Sequence, residues 1–133
     1  MKVRKISMVF LGLVFLALLQ APAINAKDAV ARPFHISGVI TFYYDGSIDD
    51  QGVATHLGNF VSVGTWVSGK YIAANGDELN WEVAGEGTYS INFAGGTGRF
   101  ANATGSYAFQ LDPIPGPEGG MTFEYTGEGT ITY

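Results

Sequence analysis

Few side chains in this 133-residue chain have the chemistry of a catalyst, and each stands in a pattern that also has an ordinary structural use. His56 is one of two histidines. An imidazole serves as a general acid or base or orients a ligand's carbonyl, and it serves equally as a turn residue bonded to a backbone carbonyl. His35 falls on the outward parity of its segment. Glu78, Asn80 and Glu82 repeat at spacing two, the arrangement of paired carboxylates in glycosidases and of a plain solvent face. Asp45, Asp49 and Asp50 fall in one loop and offer oxygen donors to calcium. They lack the ligand spacing and glycine of an EF-hand, so they read as a solvated turn, and no metal site is expected. Arg99 is suited to a ligand carboxylate or to a salt bridge that ties down its own loop. Asn102-Ala103-Thr104 is a formal glycosylation acceptor, relevant only in a eukaryotic host.

The aromatic set carries more weight than these ionisable groups. Residues 1–26 read as a secretory signal peptide, with Lys2, Arg4 and Lys5 ahead of an apolar run from Ile6 to Leu19 and small residues at Ala21, Ala23 and Ala26. At about 14 residues that run is shorter than the roughly 20 needed to span a bilayer. The expectation is a secreted or periplasmic protein whose residues 27–133 form a single domain. That mature segment holds 16 aromatic residues and no cysteine, so its stability must come from a ring-filled core and not from disulfides. With 4 basic against 12 acidic side chains it is a poor partner for nucleic acid or an anionic membrane surface. No thiolate is available as nucleophile or zinc ligand, and no cofactor is expected.

Apolar residues in this segment recur at two, the period of strands with one buried face. Met121, Phe123, Tyr125, Ile131 and Tyr133 oppose Thr122, Glu124, Thr126, Glu128, Thr130 and Thr132. Leu79, Trp81 and Val83 repeat the pattern, as do Tyr89, Ile91 and Phe93. Phe34 to Tyr44 is apolar on both sides, Val53 to Ala74 has room for two strands, and Gly105 to Leu111 makes another. Turns are marked at Tyr44-Asp45-Gly46-Ser47 and Asn75-Gly76-Asp77, and Asp112 to Gly120, rich in Pro and Gly, reads as the longest loop. Many glycines within strand patterns suggest bulges and sharp bends. The predicted fold is all-β: a closed eight-stranded antiparallel β-barrel, calycin-like, with no long helix.

The run Gly95-Gly96-Thr97-Gly98-Arg99-Phe100-Ala101-Asn102-Ala103-Thr104-Gly105 resembles the glycine-rich signature of the allene oxide cyclase and dirigent superfamily. Thr55-His56-Leu57-Gly58, Ala74-Asn75-Gly76-Asp77 and Gly129-Thr130-Ile131 are similar to uncharacterised secreted bacterial members of it. The resemblance implies an eight-stranded barrel around an apolar cavity, in a superfamily divided between catalysts and binders. It carries over no catalytic residue. On physical grounds Phe100 and Ala103 are suited to plug one barrel end, and Gly105 to let the next strand pack closely.

An eight-stranded barrel is wide enough either to be filled by side chains or to hold one small ligand. Trp81, Phe93, Tyr107, Phe109, Phe123 and Tyr125 are expected inside, as core or as a ligand-binding lining. The expected function is binding of a small apolar or aromatic molecule in that interior. The alternative is a cofactor-free isomerase or cyclase with His56 as its candidate catalytic residue. A small outer-membrane barrel is a second alternative. It is disfavoured because eight spanning strands would consume most of the mature segment, and because Glu78, Glu82, Glu124 and Glu128 would face lipid or crowd the lumen. No stable membrane insertion is therefore expected.

Overall fold

The computed structural model describes residues Val30–Tyr133; the signal peptide expected over residues 1–26 lies outside the described residues. Eight strands follow one another: β1 (Ala31–Tyr43), β2 (Ile48–Ala54), β3 (Gly58–Gly64), β4 (Ser68–Ile72), β5 (Glu78–Ala84), β6 (Ser90–Gly96), β7 (Thr104–Ile114) and β8 (Gly120–Thr132). Each pairs antiparallel with the next, and β8 returns to β1 from Ala31↔Thr132 to Tyr43↔Gly120, so the sheet is a closed up-and-down barrel. Closure gives every strand a paired neighbour on both sides over at least part of its length. A single turn of 3₁₀ helix at Gly98–Phe100 is the one helical element among the described residues.

Side-chain alternation decides what the barrel contains. Phe34, Ile36 and Ile40 on β1, Leu79 and Trp81 on β5, Ile91 and Phe93 on β6, and Tyr125 and Ile131 on β8 are buried within. Their neighbours His35, Ser37, Asn80, Glu82, Glu124 and Glu128 are exposed. Two apolar residues depart from the expected parity. Met121 and Tyr89 are exposed, Met121 at the start of β8 and Tyr89 in the turn before β6. Thr41 and Thr122 are buried on the outer face of their strands, joined by a 2.8 Å hydroxyl hydrogen bond. Gly116 lies so close against Thr122 that the β7–β8 loop covers them, which explains the double-sided burial of β1 near its end.

Two expectations need correction. The segment Ile48 to Ala54 is strand β2 and not part of a loop, so Asp45, Asp49 and Asp50 do not share one turn. Asp45 caps the β1–β2 turn through the Ser47 amide, Asp49 faces outward, and Asp50 faces inward and is buried. The irregular loop is also shorter than Asp112 to Gly120, because Asp112, Pro113 and Ile114 pair with Glu124, Phe123 and Thr122. Proline is tolerated at position 113 because β6 pairs with β7 only over Ser106 to Ala108. Beyond that stretch β7 is an edge, where a missing N–H leaves no ladder bond unmade.

The two barrel ends differ. The end carrying the β2–β3, β4–β5 and β6–β7 connections is plugged by Leu57, Phe100 and Ala103, all fully or almost fully buried. Phe100 packs edge-on against Tyr133 at 5.2 Å between ring centres. The β6 strand reaches this plug through a bulge, since Leu79 pairs with Gly96 but Trp81 pairs with Phe93. Gly95 supplies the extra residue's left-handed backbone at φ +75°. Arg99 laces the three connections together by donating to the His56 carbonyl and approaching the Asp77 carboxylate at 3.9 Å. The plug therefore sets stability at this end. Phe100→Ala is expected to lower unfolding free energy by about 3–5 kcal/mol in urea titrations. Tyr44→Ala, at an exposed turn at the opposite end, is expected to change it by less than about 0.5 kcal/mol; equal effects would contradict the plug.

Candidate functional site: an apolar cavity with a buried carboxyl

The plugged half of the interior is filled by rings. Phe34 stacks on Tyr107 at 5.4 Å and meets Phe93 edge-on at 4.9 Å, and Phe60 meets Tyr71 at 5.1 Å. Above this layer, at mid-depth, the Tyr71 hydroxyl from β4 meets the Tyr107 hydroxyl from β7 in a hydrogen bond across the barrel. The Tyr125 hydroxyl on β8 donates to Asp50 Oδ1 on β2 at 2.8 Å. The Trp81 indole N–H donates to Ser62 Oγ at 2.8 Å, and Ser62 in turn donates to the Lys70 carbonyl. The three phenol hydroxyls, the Ser62 hydroxyl and the indole N–H of the layer thus each have a partner, as a low-dielectric interior requires.

Two glycines create the space these rings occupy. A side chain at Gly127 would strike the Tyr107 ring within 2.6 Å, and one at Gly38 would press on both the Gln51 carbonyl and the Tyr125 hydroxyl. Glycine at these inward positions lets a large ring cross from the neighbouring strand, an alternation of large and small that only the strand register reveals.

Toward the other end the interior is hollow. A cavity of about 420 Å³ is bounded by Ile40, Phe42, Asp50, Tyr71, Trp81, Val83, Ile91, Tyr107, Phe109 and Tyr125, and its mouth by Trp66, Val67, Tyr89 and Leu111. That volume lies within the range of small-molecule sites. A larger hollow of about 930 Å³ crosses the outer faces of β2, β1, β8 and β7 around Gly127, between His35, Ser37, Val53, Thr55, Gln110 and Glu128. It is an open groove between short or solvated side chains, whereas the inner cavity is walled by rings and holds a buried ionisable group. The inner cavity is the better candidate site.

Asp50 dominates its electrostatics. Burial pushes its carboxyl from the ordinary 3.8 up to about 7; the Tyr125 hydrogen bond opposes this and the charge on neighbouring Asp49 adds to it. Burial likewise pushes the phenols of Tyr71, Tyr107 and Tyr125 above their ordinary range, and negative charge at Asp50 raises each further. All three remain neutral donors and acceptors. Asp50 alone changes state near neutrality, as a donor when protonated and an acceptor when ionised.

Of the six aromatics expected inside, Trp81, Tyr107, Phe109 and Tyr125 line the cavity. Phe93 lies deeper, in the filled layer, and Phe123 is half-buried beside Phe42 at 5.9 Å. His56 stands at the plugged end, away from the cavity. Its Nε2 donates to the Pro33 carbonyl at 3.0 Å and its Nδ1 accepts from the Tyr133 hydroxyl at 2.9 Å, on a residue whose φ of +69° is unusual outside glycine. Glu78 and Lys70 form an ion pair on the outer wall, next to exposed Asn80 and Glu82. The sequence reading missed Asp50, Tyr71 and Trp66. A signal for Asp50 exists in the parity of Ile48, Asp50, Gly52 and Ala54, legible once the segment is taken as a strand.

The raised Asp50 pKa fixes the sign of a pH dependence. Between pH 3.8 and about 7 the folded protein holds a proton that the unfolded chain has lost, so stability falls as pH rises through this window. The full swing is on the order of 4 kcal/mol. Asp50→Asn removes it. Urea titrations from pH 4 to 8 are expected to show the variant gaining on the native protein by that amount, and parallel curves would contradict a buried carboxyl.

No protein-family model, curated protein or solved structure matches the chain.

Proposed function

We propose that the barrel binds a small, largely apolar or aromatic molecule, admitted through the open end and held between the rings above the tyrosine layer. The observation that carries this reading is the distribution of apolar side chains. One half of the interior is packed solid, and the other is a cavity of about 420 Å³ with a mouth of exposed Trp66, Val67 and Tyr89. A protein that needed only a core would gain stability by filling that space, since an apolar void forfeits contact energy. The resemblance of the Gly95–Gly105 run to a superfamily with apolar barrel cavities agrees with it. The exposed Glu82, Asp112, Glu124 and Glu128 on the outer wall support a barrel that works in water, because a lipid-facing wall would need an apolar band there.

Both tryptophans of the chain border the cavity, Trp81 in its wall and Trp66 at its mouth. Titration with N-phenyl-1-naphthylamine, a neutral apolar fluorophore, is expected to raise probe emission and quench tryptophan emission with one saturating site. Val83→Trp, which fills the cavity from its wall, is expected to weaken binding at least tenfold. Absence of any probe response, or a response unchanged in Val83→Trp, would overturn the reading.

A further inference from the structure

Resting on that reading, we propose that the ligand is a cation: an amine with an apolar or aromatic body, whose ammonium group pairs with Asp50 at the cavity floor. Asp50 is 4% exposed, yet it borders the cavity. Its Oδ1 accepts from Tyr125, whereas Oδ2 takes no donor among the described residues. A carboxylate with one oxygen held and the other free is poised to accept a charged N–H donor from the cavity side.

The surroundings favour a cation over other ligands. Rings of Tyr71, Trp81, Tyr107 and Tyr125 stand around the same space, and their faces attract positive charge. Among the described residues the basic side chains are Arg32, Lys70 and Arg99. Arg32 lies over Tyr133, Lys70 pairs with Glu78 on the outer wall, and Arg99 serves the plug. None lines the cavity, so a fatty acid or other carboxylate would meet Asp50 with nothing to offset the repulsion. A neutral ligand would leave the carboxyl to protonate or stay desolvated. An ammonium supplies the missing counter-charge where it is worth most, in a water-poor space.

The groups that face Asp50 are the phenols of Tyr125 from β8, Tyr71 from β4 and Tyr107 from β7, with Asp49 beside it on β2 pointing outward. None of the three phenols ionises near neutral pH, so a proton exchanged on binding belongs to Asp50. Below neutrality, ammonium binding must expel the Asp50 proton; above it, no proton moves.

Isothermal titration calorimetry with 2-phenylethylamine, propylbenzene as its neutral isostere and 3-phenylpropanoate as an anion provides the test. At pH 8 the amine is expected to bind at least tenfold more tightly than propylbenzene, and the anion least. At pH 6, titrations in buffers of different ionisation enthalpy are expected to show release of a fraction of a proton approaching one, vanishing in Asp50→Asn. That variant is expected to lose at least tenfold for the amine relative to propylbenzene, and its far-ultraviolet circular dichroism and cooperative urea unfolding show that it is folded. Equal affinity for amine and isostere, or preference for the anion, overturns the amine assignment and leaves the binding reading standing. No binding of any of the three, together with no response to the neutral fluorophore, overturns both.

Discussion

A closed ring of eight strands encloses a space whose width is fixed by strand number and tilt, and the remaining features of this protein follow from how that space is filled. Phe34, Phe60, Phe93 and Leu79 fill one half, sealed from beyond by Leu57 and Phe100. Rings that large fit only where a neighbouring strand offers no side chain, as Gly127 does beneath Tyr107. The aromatic packing ends at a layer of paired hydroxyls, because a buried phenol must find a partner and Tyr71 and Tyr107 find each other across the barrel. Beyond the layer the rings of Phe42, Phe109 and Trp66 stand around the remaining space without filling it.

Asp50 is the costliest element in this arrangement. A carboxyl in an apolar interior stays neutral or acquires a counter-charge, and Tyr125 provides a hydrogen bond but no charge. Replacing Asp50 with a hydrophobic residue would suit the fold better than what is there. Local features that oppose stability in an otherwise consistent structure tend to mark the places where a protein works. The contrast with His56 is one of engagement: both of its ring nitrogens are bonded to groups at the plugged end.

Strand β8 was legible in the sequence because Phe123, Tyr125 and Ile131 alternate with Glu124, Thr126 and Glu128, a contrast that one buried face imposes. The plugging role of Phe100 and Ala103 was legible too, since apolar residues inside a glycine-rich turn have few other places to go. Strand β2 was hidden by its own composition. Asp49, Asp50, Gln51 and Gly52 have the chemistry of a turn, and only pairing to β1 and β3 makes them extended. The misreading of that strand concealed Asp50 as a wall residue. The cavity was out of reach for a different reason. Whether rings fill a barrel depends on which ring lies opposite which glycine, and that is a property of register across strands distant in sequence.

The proposed binding needs a ring-walled cavity with a buried ionisable floor, and the Asp50 carboxyl reports on it directly. A ¹³C NMR titration of the Asp50 Cγ resonance, assigned by its loss in Asp50→Asn, measures that group without a ligand. A midpoint near 7, far above the ordinary 3.8 of an aspartate, is expected. A midpoint near 4 would mean that water reaches Asp50 freely, and would contradict the buried site on which the proposed binding depends.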